Sequence, residues 1–195
     1  MRAKMTAGMV GMGMIFDDTY RPFFESVART GLYDRRFGDV DVQLVAVATK
    51  TGSRAARYLQ QSADRIPAFE NCLGDNAVQQ MLQHRPTFAC VATPDNRHFE
   101  AAREILEAGV HLLVEKPSVL SLSELDELTA IAERRGLLAR VVYHKLLDPD
   151  HKKLRTLVAD NVLQHVNNGY CSLLEPRQIS GQQFSEWITG RNPGT

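Results

Sequence analysis

The sequence predicts an α/β fold: a doubly wound parallel sheet, followed by the start of an incomplete α/β C-terminal domain. Three observations carry this. Short β-type runs alternate with helical patterns as far as Tyr143, six strands against five helices. The runs are apolar at consecutive positions, as in TFACVA (87–92) and HLLV (111–114), which suits strands covered by helices on both faces. Right-handed crossovers between such strands wind helices onto each side of the sheet.

The first run, 5–10, enters a glycine turn, and a helix follows through 20–29. Gly31 sits where a left-handed cap belongs. The second run, 40–48, is rich in β-branched residues, and Ser53 is placed to cap a helix carrying Ala55, Ala56, Tyr58 and Leu59. A short run, 66–69, precedes Asp75, the expected N-cap of a helix using Val78, Met81 and Leu82. The fourth run is 87–92. Its helix covers 96–108, with Ala102, Ile105 and Leu106 on one face and Gly109 ending it. After the fifth run, 111–114, Ser121 and Glu124 form an S-x-x-E capping box. It leads a helix in which Leu122, Leu125, Leu128, Ile131 and Ala132 recur at helical spacing. The sixth run is 138–143.

Asp148-Pro149-Asp150 then marks a boundary, which divides the chain into 1–146 and 147–195. The second part reads as a short helix at 151–159, strand material of another sheet at 163–174, and a helix at 181–189. About fifty residues are too few for a robust core, so the chain is expected to be a fragment of a longer protein.

Composition excludes several classes. Lys+Arg and Asp+Glu number 23 each, so the chain lacks the basic field that nucleic acid or an anionic membrane surface attracts. A composition of 44% hydrophobic and 24% charged residues is that of a globular protein, neither disordered nor a coiled-coil rod. The three cysteines form no C-x-x-C pair, which argues against a zinc ribbon or a thioredoxin-type motif, and no metal site is expected. Cys90 lies in an apolar run and reads as a buried thiol in a reducing compartment. Gly8, Gly11 and Gly13 interrupt the apolar N-terminus, so it reads as a strand entering a turn and not as a signal peptide. The expected location is cytoplasmic.

Ligands of doubly wound sheets bind beyond the carboxyl ends of the strands, so the residues after each run carry the functional reading. Gly11-Met12-Gly13-Met14-Ile15-Phe16 follows the first run. A glycine turn opening a helix lets main-chain N–H groups meet a pyrophosphate, with the positive end of the helix dipole behind them. Phe16 stands at the third position of the G-x-G-x-x-G pattern, where glycine allows close helix–strand packing, so the helix is expected farther out or to start later.

Thr49-Lys50-Thr51 ends the second run without the acid that holds the ribose hydroxyls of NAD. A hydroxyl and an ammonium suit a 2′-phosphate, with Ser53-Arg54 nearby, so the cofactor lean is NADP over NAD. Solvated surface charges are the bland alternative. The spacing from the glycine turn exceeds the usual figure of about 20 residues, which an inserted loop around 34–41 explains. Ala92-Thr93-Pro94-Asp95-Asn96-Arg97-His98 follows the fourth run, with Asn96 placed as a helix cap. Glu115-Lys116-Pro117 follows the fifth, and sets a lysine at the ligand-bearing edge, able to bind a substrate oxygen or exchange a proton with it. His144 and Lys145, after the sixth, are candidates for substrate contact, against the bland alternative of plain loop residues.

Together, Gly11-x-Gly13, Ala92-Thr93-Pro94 and Glu115-Lys116-Pro117 resemble the Gfo/Idh/MocA oxidoreductases, the relatives of glucose–fructose oxidoreductase and inositol dehydrogenase. The resemblance implies a dinucleotide-binding Rossmann domain and hydride transfer between nicotinamide and a sugar, polyol or related carbonyl. It implies that Gly11, Gly13, Met14 and Ile15 contact the pyrophosphate and that Thr49 and Lys50 meet the adenosine ribose. Thr93, Pro94, Asn96 and His98 would flank the cofactor. Glu115 and Lys116 would sit by the nicotinamide, with Lys116 catalytic. Members of the family are longer, usually associate as homo-oligomers, and draw a catalytic histidine and most of the substrate pocket from the C-terminal domain. No histidine stands between Val166 and Thr195. The segment alone is therefore expected to be inactive and the complete protein active. The alternative is a non-catalytic dinucleotide-binding sensor or scaffold module.

Overall fold

The computed structural model describes residues 3–62, 64–172 and 174. The chain divides into two units, Met1–Val141 and Val142–Thr195. The first holds a seven-stranded sheet: β1 (Ala3–Val10), β2 (Leu32–Asp34), β3 (Gly38–Thr49), β4 (Glu70–Leu73), β5 (Phe88–Val91), β6 (His111–Val114) and β7 (Ala139–Val141). Its order is β2-β3-β1-β5-β6-β7, and β4 also pairs with β3. Every pairing is parallel except that of β2 with β3.

Side chains alternate across this sheet with period 2, and each face is covered. Met9, Val47 and Cys90 join one cluster with Phe24 and Val27 of α1 (Arg21–Thr30) and Ala55 and Tyr58 of α2 (Ser53–Gln61). Val10, Ala48 and Val91 join the other, with Met81 of α3 (Ala77–Gln83), Ile105 of α4 (His98–Glu107) and Ile131 of α5 (Leu122–Arg135). The doubly wound α/β architecture is thus present. Gly8 admits the close approach of α3, since a Cβ there would lie 2.7 Å from Met81 Sδ.

Several local expectations are corrected. The segment taken as an inserted loop around 34–41 is a hairpin, in which β2 pairs antiparallel with the first residues of β3. Ser53 does not cap α2: Gly52 does, at φ +71, and its N–H donates to Thr49 Oγ1 at 3.0 Å. The strand expected at 66–69 forms at Glu70–Leu73 instead. Ile66 and Phe69 are buried and pack into the α1/α2 cluster, but Pro67 between them has no N–H to give a ladder. Asn76, not Asp75, is the N-cap of α3, and it makes no side-chain capping bond. Asn96 lies inside a 3-10 turn, Asp95–Arg97, so α4 starts at His98. Gly31 ends α1 at φ +68 and ψ −172, positive in φ but outside the left-handed helical well.

The Ser121 cap is present: Ser121 Oγ accepts from the Glu124 N–H at 3.3 Å. Glu124 Oε2 reaches back one residue further than the box requires, to the Leu120 N–H. In the second unit, Asp148 caps α6 (Pro149–Ala159) through its own side chain. No strand forms among the described residues of 163–174; those residues are exposed and have no partner strand to bond. The helix expected at 181–189 lies outside the described residues. None of the described helices is long and apolar enough to cross a membrane.

Candidate active site at the strand ends

Because β1, β3, β5 and β6 run parallel, Val10, Thr49, Val91 and Val114 end on one edge of the sheet. The chain builds outward from β1 to β3 and β4, then returns to the other side of β1 to lay down β5. That reversal is a topological switch point, where the turns after β1 and β5 diverge and leave a crevice.

The glycine turn lies at this point. Gly11 has φ +91, and its N–H donates to the Ala48 carbonyl at 2.9 Å. A Cβ on Gly11 would stand 2.3 Å from the Ala92 carbonyl oxygen, a backbone atom that cannot step aside. Glycine is therefore required by the protein itself. Gly13 differs: its φ is not in the positive range, and a Cβ there would meet no protein atom within 4 Å. The protein leaves open space at Gly13, on the side where a ligand can approach the main chain.

Met14 and Ile15 follow as exposed residues. Phe16 then opens a π-helical turn, Phe16–Tyr20, closed by the Arg21 N–H on the Phe16 carbonyl. The wider turn accommodates a phenyl ring where the motif has glycine, and regular α1 begins only at Arg21. The ring is 1% exposed and packs edge-on to Tyr58, with centroids 5.6 Å apart. It sits in the core and leaves the turn clear.

At the end of β3, Thr49 Oγ1 accepts from Gly52 and the Lys50 side chain is exposed. Arg54 pairs with Asp17 of the π-helical turn, so its charge is already countered. After β5, Thr93 Oγ1 is buried with no hydrogen-bond partner, as a cradle awaiting a polar group would leave it. Pro94 leads into the 3-10 turn containing Asn96. Burial pushes the Asp95 carboxyl up, and the charges of His98 and Lys116 pull it partly back.

After β6, Glu115 is buried, and its Oε1 accepts from Tyr20 Oη at 2.9 Å. Burial, with Cys90 and Glu115 alongside, holds the Tyr20 phenol well above its usual range. Lys116 is exposed and joined to Pro117 by a cis peptide. His98 is 1% exposed, with Nδ1 2.7 Å from the Pro117 carbonyl oxygen and Nε2 2.8 Å from that of Thr93. The fold thus brings Gly11, Gly13, Thr93 and Glu115 to the central strand ends, with Thr49 and Lys50 at the end of neighbouring β3. His144 and Lys145 belong to the second unit, in an exposed 3-10 turn, His144–Leu147. Sequence reasoning missed Tyr20, the partner of Glu115; nothing local in the sequence links residues 95 apart.

A cavity of about 310 Å³ lies elsewhere, along the flanks of α1 and α2, lined by Arg21, Arg54, Arg57, Tyr58 and Arg65 among others. Asp17, the ion-pair partner of Arg54, also lines it.

Comparison with known proteins adds to this geometry. YdgJ, an oxidoreductase of Escherichia coli, is 38% identical over 76 residues, which is 39% of this chain and 22% of YdgJ. A dTDP-3,4-didehydro-2,6-dideoxy-alpha-D-glucose 3-reductase from Streptomyces antibioticus is 30% identical over 142 residues, 72% of this chain and 41% of the reductase. The chain thus spans well under half the length of either relative. Among solved structures, the 3-ketoreductase KijD10 from Actinomadura kijaniata, crystallised with NADP and TDP-benzene, has the same fold. It superposes with a TM-score of 0.64 at 23% identity, over 82% of this chain and 43% of that one. Residues 5–143 match the model of the oxidoreductase family with an NAD-binding Rossmann fold. The match covers well over half of the chain, and the chain belongs to the Gfo/Idh/MocA oxidoreductases.

Proposed function

We propose that this chain holds a nicotinamide dinucleotide across the strand-end crevice. It would form the cofactor half of an oxidoreductase that moves a hydride between nicotinamide and a sugar, polyol or related carbonyl. One observation carries the reading: Gly11 is demanded by the protein, whereas the space at Gly13 is left open by it. The main chain of Gly11, Gly13, Met14 and Ile15 would take the pyrophosphate at the start of the helical run. Thr49 and Lys50 would meet the adenosine ribose, and the exposed ammonium of Lys50 supports a 2′-phosphate and hence NADP. Thr93, Pro94 and Asn96 would flank the dinucleotide, with the unpartnered Thr93 hydroxyl free to bond it. His98 stands behind them, its ring nitrogens engaged with the main chain.

The bound cofactor would supply the carbon that accepts or gives the hydride. Lys116 would hold the substrate oxygen beside it, exchanging a proton there as the oxygen gains or loses charge. Glu115, fixed by Tyr20, would border the same place. Residues 147–195 would belong to a second domain, and His144 and Lys145 would be substrate contacts.

The test is Lys116→Ala in the complete protein. Turnover is expected to fall about a hundredfold or more, the contribution of a positioned acid–base group, with coenzyme affinity changed far less. Equal turnover in the two proteins would remove Lys116 from catalysis. Coenzyme binding without turnover by the complete parent would favour the non-catalytic module.

A further inference from the structure

We propose that Tyr20 and His98 are positioning residues for Lys116, gripping the residues on either side of it and so fixing the point from which its ammonium is presented. The proposal rests on the reading of Lys116 given above. The two grips come from different parts of the fold. Tyr20, in the π-helical turn after the glycine turn, donates to the buried carboxylate of Glu115 at 2.9 Å. His98, the first residue of α4, reaches the Pro117 carbonyl at 2.7 Å. The same ring contacts the Thr93 carbonyl at 2.8 Å, so it also ties the loop after β6 to the turn after β5.

Carbonyl oxygens only accept, so a ring nitrogen that bonds one of them does so as the donor. The Lys116 side chain itself is exposed. A long, flexible side chain on a mobile loop would spread its ammonium over many positions, each costing entropy to recover. Anchoring residues 115 and 117 removes the backbone share of that freedom. This matters because a misplacement of about 1 Å can cost on the order of a hundredfold in rate. The grips are also an expensive way to obtain stability alone. A buried carboxylate and a buried imidazole both need compensation that apolar side chains in the same space would not.

The test uses ¹⁵N relaxation of the 195-residue chain, with an NADPH fluorescence titration of the parent. The parent Lys116 amide should show an order parameter near about 0.85, the value of rigid backbone. Tyr20→Phe keeps the ring and removes only the hydroxyl, and should drop that value below about 0.6. His98→Gln places its amide nitrogen at the Nε2 position and loses the Pro117 contact, so it should do the same. His98→Asn places its nitrogen at the Nδ1 position, keeps that contact, and should retain order at 116. The amide of Leu112, on β6 just before this loop, serves as the control and should stay rigid throughout. An unchanged Lys116 amide in both Tyr20→Phe and His98→Gln would overturn the proposal, as would equal loss in His98→Gln and His98→Asn. Should His98→Gln fail to fold, Tyr20→Phe alone decides. A parent that binds no NADPH would defeat the proposed function while the relaxation data still judge the grip.

Discussion

Replacing Gly11 and Gly13 separately by alanine should split stability from binding. At Gly11 the new methyl meets the Ala92 carbonyl oxygen at 2.3 Å in a backbone at φ +91. Holding a non-glycine residue there costs about 1–3 kcal/mol, and the forced separation of two packed strand ends about 1–3 more. A total of about 2–6 kcal/mol should lower the melting temperature by roughly 4–24 °C for a chain of this size. At Gly13 the methyl enters open space in an ordinary backbone conformation. Gly13→Ala should therefore leave the protein as stable as before, or raise stability by about 0.4–1 kcal/mol through the unfolded state. The same methyl stands where the reading puts the pyrophosphate. Losing one charge-assisted main-chain bond costs about 1.5–3 kcal/mol, so NADPH affinity should fall about 10- to 100-fold. Thermal unfolding and a fluorescence titration of both variants provide the assay. Undiminished NADPH binding by a stable Gly13→Ala protein would refute the assignment of the turn to the pyrophosphate.

Lys50→Ala should weaken NADPH binding about 10-fold, the loss of one charge-assisted contact, while NADH binding stays nearly unchanged; equal losses for the two coenzymes would refute the 2′-phosphate role. Thiol reactivity should separate the cysteines, since the thiolate is the reactive form. Cys171 is exposed, whereas Cys72 and Cys90 are buried, and burial pushes the Cys90 thiol up to about 12. One thiol per native chain should react promptly with a chromogenic disulfide at pH 8, the others only on unfolding; rapid labelling of Cys90 would contradict the packing of the α1/α2 face.

The long apolar runs were legible because a parallel sheet buried on both faces writes itself as consecutive β-branched and small residues, as in 40–48 and 87–92. The third run, 66–69, was misplaced because the burial of Ile66 and Phe69 imitates a strand that Pro67 cannot form. The β2 hairpin left no pattern: Leu32 and Tyr33 are exposed, so no alternation marks its three residues. Caps failed where glycine or asparagine took over from the more obvious serine or aspartate one position away. At the site, each strand-end motif could be read locally, and Phe16 did mark a displaced helix start. The long-range links could not. Tyr20 with Glu115, Asp17 with Arg54, and His98 with Pro117 join residues that are distant in sequence and adjacent only once the sheet exists.

The central claim is that a dinucleotide lies across the carboxyl ends of β1, β3, β5 and β6. Hydrogen exchange of the chain with and without saturating NADPH addresses it most directly. The account predicts added protection at 11–15, 49–50, 93–96 and 115–117, and nowhere comparable. Protection confined to the arginine-lined cavity between α1 and α2, or none at any coenzyme concentration, would contradict it.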